Sequence, residues 1–171
     1  MTMVQQRQIG IERVSVTSFE TFETVVARID REVGHPEIGA FFKKIADART
    51  LAELQAIVQA AVGPSGLIEF ARFDHGEILR KEQGANARQS LRLLLGNPLI
   101  MKEMAKHVPD AGSYAPVTIL ITETTDAARL SYDRMASVLA PYRNAEALKV
   151  TRDLDARIEA LLMKAACGCS I

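Results

Sequence analysis

A histidine between two acidic residues is the first feature of this sequence that can do chemistry. The segment Asp74-His75-Gly76-Glu77 places an imidazole beside two carboxylates. Imidazole titrates near neutral pH, and nearby negative charge favours its protonated form. His75 is therefore a candidate general base or ligand-binding residue. The alternative is a solvated histidine in a turn.

The segment Gly96-Asn97-Pro98 is typical of the start of a helix, because Asn97 can cap it and proline fits the first helical position. Backbone N–H groups and the helix dipole favour negative charge at such a start. Asn97 is therefore a candidate ligand-binding residue for an anionic group. The alternative is that Asn97 only caps its own helix.

Tyr132 and Asp133 end a predicted strand and offer a phenol next to a carboxylate. Together they can act as a proton donor and acceptor, so both are candidate ligand-binding residues. We expect them to line one pocket beside the Asn97 helix start. The alternative is that Tyr132 packs on the sheet and Asp133 caps the turn that follows.

Cys167 and Cys169 flank one glycine near the end of the sequence. This spacing can chelate a soft metal such as copper(I) or zinc, although two thiolates do not complete a zinc site. A second chain in a dimer can supply two more ligands. The alternative is a flexible, exposed tail over residues 166–171 with reactive thiols.

The motifs of the common enzyme families are not found in this sequence. It has no Walker loop, dinucleotide-binding glycine fingerprint, HExxH or GxSxG. His35 and His107 have no partner at metal-ligand spacing and are predicted to lie on the surface. We therefore expect no catalytic residue and no cofactor, and we favour a binding protein over an enzyme.

The composition is that of a folded globular protein, with 171 residues, 48% hydrophobic and 25% charged. Lys and Arg number 21, and so do Asp and Glu. Because no net charge attracts phosphates, nucleic acid is not expected as a partner. The apolar runs are far shorter than the roughly 20 residues of a membrane span, and the N-terminus lacks the apolar stretch of a secretory signal. We expect a cytoplasmic protein without a membrane partner.

Hydrophobic periodicity predicts one α+β domain over residues 1–171, with the order β, α, α, α, β, β, β, α, β, β, α. Asp74 to Glu77 is predicted to be the turn of a β-hairpin between 67–73 and 78–80. A strand is also predicted over 89–95, with a helix as the alternative because the run is rich in leucine. A final helix is predicted after Asn144. Capping boxes formed by Thr17 with Glu20 and by Thr50 with Glu53 are predicted to begin two of the helices. A helical elaboration is expected over about 36–62. The helical stripe that we expect in the core consists of Phe19, Phe22, Val26, Ile29, Phe41, Leu54 and Val58.

Strands that arrive in hairpin-linked groups favour a two-layer sandwich, in which helices cover one face of a mostly antiparallel sheet. A sheet with an uncovered face or a free edge is often protected by two-fold pairing. We therefore expect a homodimer.

Four segments of the sequence resemble a known family. They are Gly66-Leu67-Ile68 leading to Asp74-His75-Gly76, then Gly96-Asn97-Pro98-Leu99, Tyr114-Ala115-Pro116-Val117 and Leu130-Ser131-Tyr132-Asp133. They resemble domain of unknown function 302, over about Phe19 to Leu162. The resemblance implies a TATA-binding-protein-like α+β fold and supplies no catalytic residues. The stretch Pro36 to Val62 and the CGCSI tail depart from shorter members of that family.

The sequence leaves the function unknown. The leading hypothesis is a small non-catalytic protein, dimeric, that binds a small molecule or a protein partner. One alternative is an enzyme that uses His75, Tyr132 and Asp133. The other is a soft-metal or redox protein that uses Cys167 and Cys169.

Overall fold

The computed structural model describes residues 3–125 and 127–168. Within these ranges the chain forms one six-stranded sheet and seven α-helices. The strands are β1 (Arg13–Ser18), β2 (Val33–Gly34), β3 (Leu67–Asp74), β4 (Ser90–Gly96), β5 (Val117–Glu123) and β6 (Ala128–Asp133). The helices are α1 (Phe22–Glu32), α2 (Ile38–Asp47), α3 (Leu51–Ala61), α4 (His75–Gln83), α5 (Pro98–Ala105), α6 (Met135–Leu139) and α7 (Ala145–Cys167).

The strands lie in the order β1-β6-β5-β4-β3-β2. Neighbouring strands are antiparallel except for β2, which pairs parallel to β3. The predicted α+β class with a mostly antiparallel sheet is confirmed. The finer likeness to the TATA-binding-protein-like fold stays a prediction.

Alternation along the central strands sends one set of side chains into the main core. Leu93, Ile119 and Leu130 from β4, β5 and β6 are fully buried there. Side chains of α1, α5 and α7 belong to the same cluster, including Ile29, Met104 and Ile158. These three helices therefore cover one face of the sheet, as the sequence predicts.

A second, smaller core forms where α2 and α3 pack together. Phe41, Val58 and Ile68 are its buried members. Leu67 lies in the main core, and successive strand residues point to opposite faces. The α2–α3 pair therefore packs on the other side of β3, next to Ile68.

Side-chain caps explain where most helices begin. Thr50, Asn97 and Asn144 cap α3, α5 and α7, as predicted. Helix α1 is capped by Thr21 and not at the predicted position near Thr17. Phe19 therefore precedes the helix and is 90% exposed, so its predicted place in the core is wrong.

The predicted hairpin at Asp74 to Glu77 is wrong. Asp74 ends β3 and caps α4, and its Oδ1 accepts a hydrogen bond from the Glu77 amide at 2.8 Å. An acid at the cap with Glu three residues later is itself a helix-start signal, and here it outweighs the turn signal of Gly76. His75 is consequently the first residue of a helix.

Helix α7 extends further than the sequence predicted. Helix α7 extends through Cys167, so Ala166 is helical and buried instead of belonging to a tail. The Ser18 hydroxyl donates a hydrogen bond to the Ala166 carbonyl at 2.6 Å. The remainder of the predicted tail, residues 169–171, lies outside the described residues. No helix in the described ranges has the length and apolar character that crossing a bilayer needs.

The contrast between Ile29 and Phe19 gives a stability test. Ile29→Ala should lower the free energy of unfolding by about 2 to 5 kcal/mol, because it leaves a cavity in the main core. Phe19→Ala should change it by less than about 0.5 kcal/mol, because that ring is exposed. Urea unfolding of both variants measures the difference. Equal losses would contradict the placement of the two side chains.

Candidate functional site

Asn97 uses both polar atoms of its side chain within the fold. Its Oδ1 accepts a hydrogen bond from the Leu99 amide at 2.8 Å, and its Nδ2 donates to the Gly66 carbonyl at 2.9 Å. The cap therefore joins the start of α5 to the turn before β3. This is the structural role that the sequence left as an alternative.

An apolar cavity of about 250 Å³ lies beside this cap. We call it the α5 cavity. It is bounded by the end of β4, the start of β5 and helix α5, with contributions from α2 and α7. Its lining consists of Phe42, Phe70, Leu95, Gly96, Asn97, Pro98, Ile100, Met101, Met104, Ala115, Pro116, Val117 and Leu154.

A bulge in β3 supplies one wall of the α5 cavity. The register with β4 shifts between Glu69 and Ala71, so Phe70 has no partner residue on β4. Bulges redirect the side chains that they carry. Phe70 lines the cavity together with Phe42, at 5.9 Å between ring centroids.

Tyr132 lies in the main core and is 1% exposed. Its hydroxyl donates a hydrogen bond to Asp155 Oδ1 on α7 at 2.6 Å. Burial, together with the hydrogen bond to and the charge of Asp155, raises the pKa of Tyr132 well above its ordinary value. The phenol therefore stays neutral and serves the fold as a hydrogen-bond donor.

Asp133 points to the opposite face of the sheet. Both of its carboxylate oxygens accept hydrogen bonds from Arg13 on β1, from Nε at 2.6 Å and from Nη2 at 2.8 Å. The hydrogen bond from Arg13 holds the pKa of the Asp133 carboxyl below its usual range.

The predicted shared pocket of Tyr132, Asp133 and Asn97 is therefore wrong. Consecutive strand residues face opposite sides, which separates Tyr132 from Asp133. Asn97 lines the α5 cavity, and Tyr132 and Asp133 do not. The roles of these residues in ligand binding stay predictions.

The structure does bring His75 and Asp133 together. Both line a depression of about 320 Å³ on the face of the sheet away from α1, α5 and α7. We call it the sheet-face trough. Its lining consists of Arg13, His75, Ser90, Arg92, Thr118, Leu120, Ser131 and Asp133.

The surroundings of His75 differ from those expected. Its ring stacks on Phe73 with 6.4 Å between centroids and 11° between planes. The Asp74 carboxylate is directed to the Glu77 amide and to Arg80 instead. Asp74 therefore does not serve as the carboxylate partner that the sequence suggested for His75.

One group of potential metal ligands was not foreseen from the sequence. Atoms of Asp30, His35 and Glu69 lie within 4.8 Å of one another. The Arg72 guanidinium bonds to both acids, to Glu69 Oε2 at 2.8 Å and to Asp30. The guanidinium of Arg72 therefore already supplies a positive charge to these two carboxylates. The short strand β2, which had no sequence signal, positions this group.

The Cys-x-Cys hypothesis is tested only in part. Cys167 is the last residue of α7 and is exposed. Cys169 lies outside the described residues, so a metal site at this pair stays a prediction.

With this geometry in place, comparison with known proteins identifies the family. The family model described as domain of unknown function DUF302 matches residues 42–165. The chain belongs to this family. The match confirms the resemblance seen in the sequence. It also includes all of α3, so most of the stretch 36–62, which is expected to be missing from shorter members, lies within the matched region.

A solved DUF302 structure has the same fold. It is the crystal structure of an uncharacterized conserved DUF302 protein from Bacillus stearothermophilus, with a TM-score of 0.63 and 10% identity. The alignment covers 90% of this chain and 97% of that one. At this identity the similarity establishes the fold alone. No curated protein matches this DUF302 chain.

The buried hydroxyl of Tyr132 gives a second test of stability. Tyr132→Phe should lower the free energy of unfolding by about 1 to 3 kcal/mol, because it removes a hydrogen bond from a buried carboxylate. In an Asp155→Asn background the same change should cost clearly less. Chemical unfolding of the two single variants and the double variant measures this coupling. Additive losses would mean that the two groups do not interact.

The ion pair on the other face gives a test by titration. Side-chain NMR should report a pKa for Asp133 below the ordinary value of about 3.9, and Arg13→Gln should raise it toward that value. Because the folded-state pKa is lowered, the pair stabilises the fold above about pH 3.9 and loses this contribution as the pH falls through the folded-state value. An unchanged pKa in Arg13→Gln would contradict the assigned cause.

Proposed function

We propose that this DUF302 protein binds a small, uncharged, apolar molecule in the α5 cavity. The observation that carries the proposal is the chemistry of the lining. Among the described residues that form it, Asn97 has the only polar side chain, and both of its polar atoms are engaged in the fold. A lining of this kind favours an apolar guest over water.

The size of the cavity limits the ligand. An engineered cavity of about 150 Å³ accepts benzene. The α5 cavity is larger, at about 250 Å³, so a substituted benzene or a two-ring aromatic fits its volume. Met101 and Met104 lie in the wall, and flexible thioether side chains can adapt to guests of different shape.

Phe42 supports access from solvent. It lines the cavity and is still 50% exposed, so part of the wall is in contact with water. Phe42 belongs to α2, which packs in the smaller core and not in the main one. We expect ligands to enter past this ring.

The proposal is one of binding without catalysis. The described lining residues include no acid, base or nucleophile. A guest in this cavity would be held by dispersion and the hydrophobic effect, with no group to transfer a proton to it.

A thermal-shift measurement tests the proposal. Toluene should raise the Tm of the wild-type protein in a concentration-dependent way. Phenol should raise it less, because its hydroxyl would lose hydrogen bonds to water on entering the cavity. Met101→Trp should fill the cavity and remove the response to toluene. Met163→Trp, on the exposed side of α7, is the matched control and should respond like the wild type.

An equal response to toluene in folded Met101→Trp would contradict the proposed site. Should that variant not fold, intermolecular NOEs in the wild-type protein replace it. Toluene protons should then contact the Met101 and Met104 methyl groups. Binding without such contacts would contradict the proposal.

The proposal includes a homodimer. It also includes a cytoplasmic location and no nucleic acid as a partner. β1 is a six-residue strand at one edge of the sheet. Pairing of two such edges across a two-fold axis would protect their backbone hydrogen-bonding groups. Native mass spectrometry would report the mass of a dimer. A monomer at micromolar concentration would contradict this part.

A further inference from the structure

We propose that the sheet-face trough is a separate binding site for the oxyanion group, carboxylate or phosphate, of a small aromatic ligand. The proposal is independent of the α5 cavity. It rests on the strand register, on the balance of charge across this face and on the aromatic wall at His75.

The strand register builds the trough directly. Ser15 pairs with Ser131, Ser131 with Leu120, Leu120 with Arg92, and Arg92 with Phe73. One row thus crosses five strands on the face away from α1, α5 and α7. The residues in the middle of the row, Ser131 and Leu120, are small or medium-sized. Arg92 lies in the row on β4, and Arg13 lies beside it on β1. Long side chains on β1, β4 and β3, with shorter ones of this row on β6 and β5 between them, produce a depression.

Positive charge is in excess on this face. Three rows of paired strand residues carry Arg13, Arg92 and Arg129 on this face. The only carboxylate in these rows is that of Asp133, and His75 lies beside them. Asp74, at the end of β3, is directed to Arg80 and to the Glu77 amide. The arginines outnumber the acid, which attracts an anion and disfavours a second copy of the same face.

Arg92 has contacts with neutral groups. Its Nη2 donates to the Thr118 hydroxyl at 3.2 Å, and its guanidinium lies 5.9 Å from the centre of the Phe73 ring. Because these two partners are neutral, they leave the positive charge of Arg92 to attract an anionic ligand. Carboxylate and phosphate oxygens match the planar fork of donors that it offers.

The remaining lining fits the body of an aromatic acid. Ser90, Thr118 and Ser131 add hydroxyl groups, and Leu120 forms an apolar floor. The ring of His75, which stacks on Phe73, forms a wall at the β3 end. A ligand ring can pack there while its oxyanion reaches Arg92.

Asp133 competes with the ligand for Arg13. The bidentate pair occupies two of the donors of Arg13 and adds a negative charge to the trough. Removal of this carboxylate should therefore improve anion binding. A purely structural role for the pair would predict no gain.

NMR titration with three probes of similar shape tests the proposal. Phenyl phosphate, benzoate and the neutral benzyl alcohol are added to the labelled protein at constant ionic strength set with sodium chloride. At least one anion should shift the amides of Ser90, Arg92, Thr118 and Ser131 in a saturable way, and benzyl alcohol should not. The tighter of the two anions shows which oxyanion the trough prefers.

Two variants and two controls make the outcome decisive. Arg92→Gln should weaken the tighter anion about tenfold or more, as expected for loss of a charge-assisted hydrogen bond. Asp133→Asn should strengthen it severalfold. Arg152→Gln removes the same charge from the exposed surface of α7 and should have little effect, and Met101→Trp should leave anion binding unchanged. Equal binding of benzyl alcohol, unchanged affinity in Arg92→Gln or weaker binding in Asp133→Asn would each overturn the proposal.

Discussion

The carboxylate of Asp155 on α7 holds together three elements that follow one another along the chain, β6, α6 and α7. It is 5% exposed and accepts hydrogen bonds from the Tyr132 hydroxyl and from the amides of Met135 and Ala136. A buried carboxylate lowers the stability of the fold unless hydrogen-bond donors surround it. Strand β6, the start of α6 and helix α7 must therefore keep their relative positions. This fixes α7 on the sheet, and α7 carries Leu154, which lines the α5 cavity. The cavity therefore depends on an interaction outside it.

The same constraint determines what Tyr132 and Asp133 can do. Once Tyr132 reaches inward to Asp155, alternation along β6 turns Asp133 outward to Arg13. Two neighbouring polar residues thus serve different faces of the sheet. One face is filled by α1, α5 and α7 and leaves an apolar cavity at its edge. On the other face α2 and α3 pack next to Ile68, and arginines and hydroxyls lie on the remaining strands. The chemistry of the two candidate sites follows from this division.

Local signals in the sequence predicted much of the fold. Thr50, Asn97 and Asn144 begin helices as predicted, because a cap is encoded by a few adjacent residues. The failures concern choices between competing local signals or contacts between distant segments. Asp74 with Glu77 started a helix where Gly76 suggested a turn, and Phe19 fell outside α1 because the cap is Thr21. The two-residue strand β2 and the bulge at Phe70 exist only through pairing with other strands, so no local pattern indicated them. For the same reason the α5 cavity and the arginine excess of the trough became visible only in the assembled sheet.

The positions of the two sites limit the enzyme hypothesis. Asp74, the residue before His75, pairs with Leu91 near one end of β4. Gly96, at the other end of β4, lines the α5 cavity. Five residues of extended strand separate these ends by about 17 Å. A general base must lie within hydrogen-bond reach of the proton that it removes, or act through one water. His75 therefore cannot act on a molecule held in the α5 cavity. Asp133 does not line that cavity, and both of its carboxylate oxygens accept hydrogen bonds from Arg13. Any reaction that uses these residues would have to involve a ligand of the trough, where Arg92 and the hydroxyl groups would orient it.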